Sequence, residues 1–570
     1  MPLRNNVLKN IIEVARGQAP ADLLLKHARI INVFTGEVEK GNVALSSGRI
    51  AGVGEYYKAK EVIDLDGQYL SPAFINGHTH IESSLLDIDR YASVVIPHGT
   101  LGVISDLHEI ANVLGISGIR YILDRARRLP FDFFLMAPSC VPSSHLESSG
   151  ARLEAGDIKK LLRLKNCLGL GEVMNYPGII EGNQAILAKI TIASKKLIDG
   201  HAPSLRGEKL NAYLSAGIYS DHESTGLAEA KEKLSRGMFI MIREGSSEKN
   251  LETILPLVND YNERRFFFVV DDRNPMDLVE DGDIDAVVRH SIAIGLSPIK
   301  AIQMATINPA EYFGLRKMGA IAPGYQANLI VISDLINVTI DKVFYKARLT
   351  AEHGMMITNF GQAKNDIPPS MNIRPFPIEA LRLKAKGESM PVIEIIPGQI
   401  VTRKVIEKVK TDDGMVISDT ENDLLKLVVV ERHHSTGNIG LGMVRGFNLK
   451  KGALVSSIAH DAHNIIAVGT NDTDIYQGIK EVERIGGGLA VVADGKIEAS
   501  LALPVAGLLS REPAKEVAKK YTRLERVASI FGSTLTSPFS TLSFLALPVI
   551  PEIRLTDLGL VDVNAFKIIS

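Results

Sequence analysis

PAFINGHTHIESS, residues 72–84, contains two histidines, His78 and His80, at the end of an apolar segment. In an extended strand, residues i and i+2 project to the same side, so both imidazoles can reach one metal ion where the strand opens into a cavity. On its own, the His-x-His pattern is equally compatible with two half-buried strand residues that make ordinary hydrogen bonds. The pattern predicts a candidate site near residue 80, and the rest of the chain decides between the two interpretations.

The run at 72–84 is the first of eight apolar runs between residues 72 and 317. Each run is followed by a turn and a helix-type pattern, and the runs end 21 to 35 residues apart, which is the length of one strand-plus-helix unit. Eight such units predict a (β/α)8 barrel of the TIM type. The predicted strands end near these residues: Thr79, Asp106, Pro138, Val173, Gly200, Asp221, Glu244 and Asp271.

Four further parts are predicted outside the barrel. Short β-rich runs at 22–71 and 318–360 predict one small β-sandwich domain that is built from both flanks. The first residues, 1–21, predict an amphipathic helix, and the Pro-rich and charged segment 361–390 predicts a connector. Residues 391–570 combine strand and helix patterns and predict an additional α+β domain.

Composition excludes several classes of protein. The 570 residues carry a formal net charge of -2, from 64 basic and 66 acidic side chains, which argues against a binder of nucleic acid or of a membrane surface. Two cysteines, Cys140 and Cys167, are too few for a disulfide scaffold or a four-cysteine zinc site, and they fit a reducing compartment. Because the N-terminus lacks a secretory signal pattern and no window is apolar enough to span a membrane, a cytoplasmic protein is expected.

Ionisable side chains gather at the predicted strand ends, which in such a barrel all lie on one face. The set contains four imidazoles and two carboxylates: His78, His80, Glu172, His201, His222 and Asp271. These groups suit two divalent cations with a carboxylate as the bridge, and a water held between such ions becomes a nucleophile near neutral pH. Each residue alone is compatible with an ordinary hydrogen bond at the rim, but the six together favour a binuclear metal centre.

Longer motifs surround these residues and continue into the C-terminal part. They include INGHTHIESSLL (75–86), PHGTLGVISDLHEIANVLG (97–115), GLGEVMNYPG (169–178), DGHAPSLRG (199–207), GIYSDHEST (217–225) and AHDAHNIIAVGTND (459–472). With these motifs the chain resembles, over nearly its whole length, the amidohydrolase superfamily and, within it, the family of bacterial and archaeal adenine deaminases.

The resemblance implies hydrolytic deamination of adenine to hypoxanthine and ammonia in purine salvage, with the six residues as metal ligands. Glu172 stands where many superfamily members carry a bridging carboxylated lysine, and the strand-8 ligand is left open between Asp271 and Asp272. Manganese is the expected metal, with iron(II) as the alternative. The expected partner is adenine, with no nucleic acid and no membrane, and the protein is expected to be a homo-oligomer.

Two proton-transfer roles follow from this chemistry. Asp271 is the expected general base, which takes the proton of the metal-bound hydroxide and passes it toward the departing amine. An acid must protonate the purine ring as the tetrahedral centre forms, and the candidates Glu82, His108 and Glu109 all follow predicted strand ends. These three are equally compatible with polar residues at a helix start.

Two further features leave alternatives open. Asn274 precedes Pro275 at a position where the family commonly carries a histidine. Because an amide still donates and accepts hydrogen bonds, the replacement is expected to change the efficiency of the reaction and not to abolish it. In the C-terminal part, His460, Asp461 and His463 are predicted to have a structural or lid role, with a second metal site as the alternative.

Two other functions compete with adenine deamination. A cyclic amidase of the dihydroorotase or hydantoinase type usually needs the bridging lysine, which this chain replaces with Glu172. A non-catalytic barrel scaffold would have lost one or more metal ligands, whereas all six positions are filled. Both observations favour the deaminase.

Overall fold

The structure is a computed structural model that describes residues 5–56, 58–357 and 367–569. The parts of the predicted N-terminal helix, β domain, connector and C-terminal domain that fall on 1–4, 57, 358–366 and 570 lie outside the described residues.

One helix and five strands precede the barrel. They are α1 (Asn5–Ala15), β1 (Ala21–Asn32), β2 (Glu37–Ser46), β3 (Arg49–Gly54), β4 (Ala59–Asp64) and β5 (Tyr69–Pro72). Helix α1 packs Ile11 and Val14 into a cluster with Leu24 of β1. Only part of its apolar surface is covered, because Leu8 and Ile12 are exposed.

Eight parallel strands form the barrel, which confirms the predicted fold. They are β6 (Phe74–Thr79), β7 (Thr100–Asp106), β8 (Asp132–Ala137), β9 (Cys167–Val173), β10 (Leu197–Gly200), β11 (Ser220–Asp221), β12 (Phe239–Arg243) and β13 (Phe266–Val269). They pair in two groups, β6–β10 and β11–β13. The backbone N–H of His80 donates to the Asp271 carbonyl at 3.0 Å, and the N–H of Asp271 donates to the His78 carbonyl at 3.0 Å, which joins the two groups. On the other side, the N–H of Gly200 donates to Ser220 Oγ at 3.3 Å.

Helices surround the strands. They are α2 (Ile88–Val95), α3 (His108–Ala126), α4 (Ala155–Leu161), α5 (Tyr176–Ile180), α6 (Gln184–Ala193), α7 (Gly207–Ser215), α8 (Leu227–Ser235), α9 (Leu251–Ile254), α10 (Pro275–Glu280), α11 (Ile284–Ala293), α12 (Pro298–Ala305) and α13 (Ile307–Tyr312). Short 3-10 turns occur at Ile81–Ser84, Leu255–Leu257 and Glu263–Arg265.

Apolar side chains fill the barrel interior below the site. Ile75, Ile104, Met136, Met241 and Phe267 come from five different strands and form one buried cluster. A packed interior of this kind leaves only the carboxyl-end rim for chemistry.

Four strands after the barrel return to the first β segment. They are β14 (Leu329–Asp334), β15 (Thr339–Tyr345), β16 (Arg348–Glu352) and β17 (Met355–Met356). Strand β14 pairs antiparallel with β5, with Val331 opposite Leu70, so both flanks join one nine-stranded sheet. Leu45 and Phe344 share its buried core. Both flanks therefore contribute to one sheet, whereas the sandwich arrangement and the domain boundaries stay predictions.

The C-terminal part is the predicted α+β addition. Its elements are β18 (Leu383–Lys384), β19 (Ser389–Ile395), β20 (Thr402–Lys408), β21 (Thr411–Asp412), β22 (Met415–Val416), β23 (Leu425–Val430), β24 (Ile439–Arg445), β25 (Ala453–Ser456), β26 (Ile465–Gly469), α14 (Asp472–Arg484), β27 (Gly488–Ala493), β28 (Lys496–Ala502), α15 (Ala514–Ile530), α16 (Pro538–Phe544), β29 (Ile553–Thr556), β30 (Gly559–Asp562) and β31 (Lys567–Ile568). A 3-10 turn at Ile378–Leu381 precedes them. Eight strands form the main sheet, in the order β20-β19-β24-β23-β26-β25-β27-β28.

The C-terminal sheet docks on the barrel rim through the loop between β25 and β26. Asn464 in this loop donates a side-chain hydrogen bond to the Ser148 carbonyl at 2.8 Å. Asp87, at the start of α2, donates its backbone N–H to the Ser510 carbonyl at 2.8 Å. Both contacts join the C-terminal part to segments that follow barrel strands, namely β8 and β6. In the part of the chain that the structure describes, no helix is long and apolar enough to cross a membrane.

Candidate active site

The first half of the predicted metal centre gathers around one carboxylate oxygen, Asp271 Oδ1. This atom lies 2.9 Å from His78 Nε2, 3.5 Å from His80 Nε2 and 3.7 Å from His222 Nε2. All four side chains are almost fully buried. The rim therefore brings together residues from strands one, six and eight.

Glu172 lies between this group and the remaining histidine. Its Oε1 is 3.2 Å from His80 Nε2, while its Oε2 is 2.9 Å from His201 Nδ1 and 3.1 Å from His222 Nε2. The two oxygens of one carboxylate thus face two different sets of imidazole nitrogens. This is the arrangement that a bridging ligand between two ions requires.

The donor atoms of this cluster fit metal ions better than they fit one another. His78 Nε2 is buried and has no hydrogen-bond partner among the described residues, although Asp271 is close. His201 Nδ1 and His222 Nε2 lie 3.1 Å apart and both face Glu172, and two such nitrogens cannot both donate to one oxygen and to each other. Atoms that ligate a common ion lie about 3 Å apart. The residues present fit a pair of divalent cations.

Neighbouring groups orient the predicted ligands. His80 Nδ1 lies 3.0 Å from the Asp106 carbonyl, so it carries the ring hydrogen and leaves Nε2 free to face the centre. Directly before Glu172, Gly171 lies so close to the Asp106 carboxylate that a Cβ atom would collide with it. A side chain at residue 171 would therefore displace the strand end that carries Glu172.

Arg243 and Glu223 are part of the site and were not predicted from the sequence. Arg243 Nη2 lies 3.1 Å from Asp271 Oδ2, and the same guanidinium contacts Glu223. Burial alone would raise the pKa of Asp271, but Arg243 and the histidines outweigh it and hold that pKa well below its usual range. Both residues could have been found, because Arg243 comes directly before the predicted strand end at Glu244 and Glu223 follows His222.

The structure distinguishes the two adjacent aspartates at strand eight. The Asp271 carboxylate lies among the imidazoles, whereas Asp272 Oδ1 accepts a hydrogen bond from the Ser83 hydroxyl. Asp272 also lines the cavity next to the centre. Of the pair, Asp271 lies among the imidazoles and Asp272 faces the cavity.

The three candidate acids differ in their surroundings. Glu82 and Glu109 line the cavity, whereas His108 is not among the described residues that line it. Glu82 Oε1 accepts the backbone N–H of Ile110 at 3.1 Å, and its Oε2 has no hydrogen-bond partner in the described chain. Burial, and then the charge of Glu109, raise the pKa of Glu82 to about 7.

Glu109 connects the barrel to the C-terminal domain. Its Oε1 lies 2.9 Å from His460 Nδ1 and 3.3 Å from His108 Nε2, and its Oε2 contacts His463. Burial would raise the pKa of Glu109, but His460, His463 and His108 outweigh it and lower that pKa well below its usual value. His108 Nδ1 in turn lies 3.4 Å from Glu172 Oε1, so the two histidine clusters are in contact.

Asn274 has a structural position. It caps helix α10, because its Oδ1 accepts the backbone N–H of Asp277 at 2.8 Å. It also lines the cavity. Asn274 thus starts a helix at the edge of the cavity.

A (β/α)8 barrel with a His-x-His strand and a histidine-rich carboxyl-end rim defines the amidohydrolase class, and residues 69–356 match the Amidohydrolase family. Residues 399–567 match the Adenine deaminase C-terminal domain. The chain belongs to the adenine deaminase family of amidohydrolases. It is 57% identical over 563 residues to the "Adenine deaminase" of Dehalococcoides mccartyi, with 99% of each chain covered. It is 46% identical over 564 residues to the "Adenine deaminase 2" of Carboxydothermus hydrogenoformans, again with 99% of each chain covered.

Among solved structures, the chain is similar to a beta-aspartyl dipeptidase from Fervidobacterium islandicum AW-1, solved in complex with a beta-Asp-Leu dipeptide. The identity is 16%, the match covers 60% of this chain and 99% of that chain, and the TM-score is 0.48.

Proposed function

We propose that this protein hydrolyses adenine to hypoxanthine and ammonia at a binuclear metal centre and that it serves purine salvage. The observation that carries the proposal is the position of Glu172, whose two oxygens face two separate groups of imidazole nitrogens beside a cavity. The full-length match to adenine deaminases supports adenine as the substrate.

Six side chains would hold the two ions: His78, His80, Glu172, His201, His222 and Asp271. Two divalent ions at such a site supply a water molecule that is activated as a nucleophile near neutral pH. Imidazole and carboxylate donors suit manganese, with iron(II) as the alternative. Cys140, in the loop after β8, and Cys167, at the start of β9, are free and buried, and neither is among the six proposed ligands.

Asp271 is the proposed general base. It takes the proton of the attacking water and passes it toward the amine that leaves C6 of the purine. Arg243, at 3.1 Å from Asp271 Oδ2, keeps the carboxylate ionised and fixes its orientation, so that Oδ1 stays on the side of the imidazoles.

Glu82 is the proposed acid for the purine ring nitrogen N1. It lines the cavity, and its Oε2 has no hydrogen-bond partner among the described residues. A general acid works best when it exchanges protons near the working pH. Glu109 suits this role less, because its oxygens already contact three histidines. His108 suits it less because it lies outside the cavity lining.

Ammonia release from adenine tests the proposal. Purified protein loaded with manganese should release ammonia from adenine and form hypoxanthine, while adenosine and dihydroorotate should remain unchanged. No ammonia from adenine at full metal occupancy would refute the function. Turnover of dihydroorotate or a hydantoin instead would establish the cyclic amidase alternative, and metal-replete protein without any turnover would establish the scaffold alternative.

We also propose that the protein is a cytoplasmic homo-oligomer. Both cysteines are free and buried, which suits a reducing compartment. Leu8 and Ile12 of α1 are exposed apolar side chains, and self-association would remove them from water. Light scattering on purified protein measures the number of subunits, and a monomer at micromolar concentration would contradict the oligomer.

A further inference from the structure

We infer that the C-terminal domain forms one wall of the purine pocket and that His460 Nε2 donates a hydrogen bond to a purine ring nitrogen away from the reacting edge. This inference rests on the proposed function, because it takes adenine as the occupant of the cavity. It gives the C-terminal domain a role in recognition of the substrate.

The cavity beside the metal ligands lies between two domains. Glu82, Glu109 and Asp272 line it from the barrel side. The C-terminal domain lines the other side with apolar and aromatic groups, among them Ile458, His460, Phe539 and Phe544, and with several serines. A purine has flat apolar faces and polar edges. A pocket with carboxylates on one wall and aromatic groups on the other therefore matches its shape and chemistry.

His460 is held in one orientation by three contacts. Its Nδ1 lies 2.9 Å from Glu109 Oε1, and its backbone N–H donates to the Ser543 carbonyl at 3.1 Å. Its ring stacks on Phe544 with a centroid distance of 4.6 Å and an interplanar angle of 21°. Because Nδ1 is used by Glu109, Nε2 is the ring atom left for a ligand. None of the residues that the structure describes forms a hydrogen bond with it.

The charge on this ring supports the assignment. Burial would lower the pKa of His460, but Glu109, Asp272 and Asp461 outweigh it and raise that pKa to about 9. At neutral pH both ring nitrogens then carry hydrogen, so Nε2 is a donor. If N1 of adenine faces Glu82, the ring acceptors that remain are N3 and N7. A charged donor in a buried pocket makes a strong hydrogen bond to either.

A third metal ion is the competing explanation for Glu109, His460 and His463, whose donor atoms lie close enough to share one. The hydrogen bonds of His463 argue against it. His463 Nδ1 accepts the backbone N–H of Ala459 at 3.3 Å, so the neutral ring carries its hydrogen on Nε2, the nitrogen that contacts Glu109. A nitrogen that bears hydrogen cannot ligate a metal. The cluster is therefore a hydrogen-bonded support that positions His460.

Two substitutions at residue 460 test the inference. His460→Phe keeps an aromatic ring against Phe544 but removes the donor, and we expect kcat/KM for adenine to fall about 10- to 100-fold, mainly through KM. His460→Gln restores an N–H donor, and we expect it to recover part of this loss. His353→Phe is the matched control, because the His353 side chain is 69% exposed and lies in the β domain.

Purine analogues show whether His460 itself contacts the ring. The analogues 3-deazaadenine and 7-deazaadenine lack the ring nitrogens N3 and N7, respectively. Wild-type enzyme should have a higher kcat/KM for adenine than for the analogue that lacks the nitrogen bound by His460. In His460→Phe this difference in kcat/KM should disappear. If His460→Phe lowers kcat/KM by the same factor for adenine and for both analogues, the inference is wrong. An unchanged KM for adenine in His460→Phe would also overturn it. Metal analysis should give two ions per chain in wild type and variant, and a third ion lost only in the variant would also overturn it.

The proposed function and this inference fail in different ways. If metal-loaded wild type does not deaminate adenine, the function is wrong whatever the variants do. If wild type deaminates adenine and His460→Phe matches it in KM and analogue discrimination, only the role of His460 is wrong. Thermal unfolding of each variant separates a lost contact from a lost fold.

Discussion

Two histidine clusters lie side by side in this protein, and they are built in different ways. The first cluster holds the six proposed metal ligands, all from the barrel, and each lies within two residues of the end of a strand. The second cluster joins Glu109 of the barrel to His460 and His463 of the C-terminal domain. Barrel topology assembles the first cluster, whereas the second exists only when two domains dock.

This difference predicts a division of labour. The carboxylates of the first cluster, Asp271 and Glu172, each face several imidazole nitrogens, which suits cations. In the second cluster the Glu109 carboxylate faces N–H groups of His460 and His463, which suits hydrogen bonding. Metal content should therefore depend on the first cluster alone, while substrate affinity should depend on both.

The largest effect is expected from Glu172→Gln. An amide has one oxygen and an N–H group where the bridge needs two oxygens, so metal content should fall from two ions to one or fewer, and kcat/KM should drop on the order of a thousand-fold. Elemental analysis and ammonia release measure both. Glu181→Gln is the control, because Glu181 is exposed. Wild-type metal content with full turnover in Glu172→Gln would remove Glu172 from the bridge.

A smaller effect, confined to the chemical step, is expected from Glu82→Gln. The amide preserves the hydrogen bond to the Ile110 N–H but cannot deliver a proton, so kcat should fall on the order of a hundred-fold with both metal ions retained. Steady-state kinetics with metal analysis on the same sample checks this. If kcat stays within a few-fold of wild type, another group protonates the ring, and Asp272 in the same cavity is the next residue to substitute.

The first cluster could be predicted from the sequence because the barrel imposes its geometry. Predicted strand ends fell within two residues of the observed ones, for example Pro138 against Ala137 and Asp271 against Val269. Once eight strands are in register, any ionisable residue that follows a strand end must lie on the same rim. The metal-ligand roles of these residues remain predictions that depend on metal analysis.

The second cluster could not be predicted, because no local pattern encodes domain docking. Glu109 and His463 are 354 residues apart, and their contact depends on how the loop between β25 and β26 sits over the rim. The spacing of His460 and His463 indicated a possible site but gave no partner. Arg243 is an intermediate case, because the end of its strand was predicted but its contact with Asp271 was not.

Glu109→Gln separates the two clusters directly. The amide fills the same space but loses the charge that holds His460 and His463, so kcat/KM for adenine should fall about 10-fold while both metal ions remain. Metal analysis compares the metal content of Glu109→Gln with that of Glu172→Gln, and Glu181→Gln is again the control. Loss of metal from Glu109→Gln would show that the two clusters act as one site.

The smallest effect concerns the helix pair that docks the two domains. Glu525 of α15 has its pKa raised to about 7 by burial, with a further contribution from Asp277 of α10. Between the unfolded-state pKa of 4.5 and the folded-state pKa of about 7, this carboxyl is protonated in the folded protein but ionised in the unfolded chain. The free energy of unfolding therefore falls as the pH rises through this range. Above about pH 7 the decrease is complete, because both states are then ionised.

Glu525→Gln mimics the protonated form and should remove this loss. Because the side chain is partly exposed, solvent screening limits the gain at pH 8 to under about 1 kcal/mol, or a rise of about 1 to 2 °C in Tm, with little change at pH 5. Thermal unfolding at both pH values and one scan rate measures the difference. Glu516→Gln is the control, because Glu516 lies at an exposed position of the same helix, and it should shift Tm equally at pH 5 and pH 8. A gain for Glu525→Gln that is the same at pH 5 and pH 8 would contradict a titrating carboxyl at this docking surface.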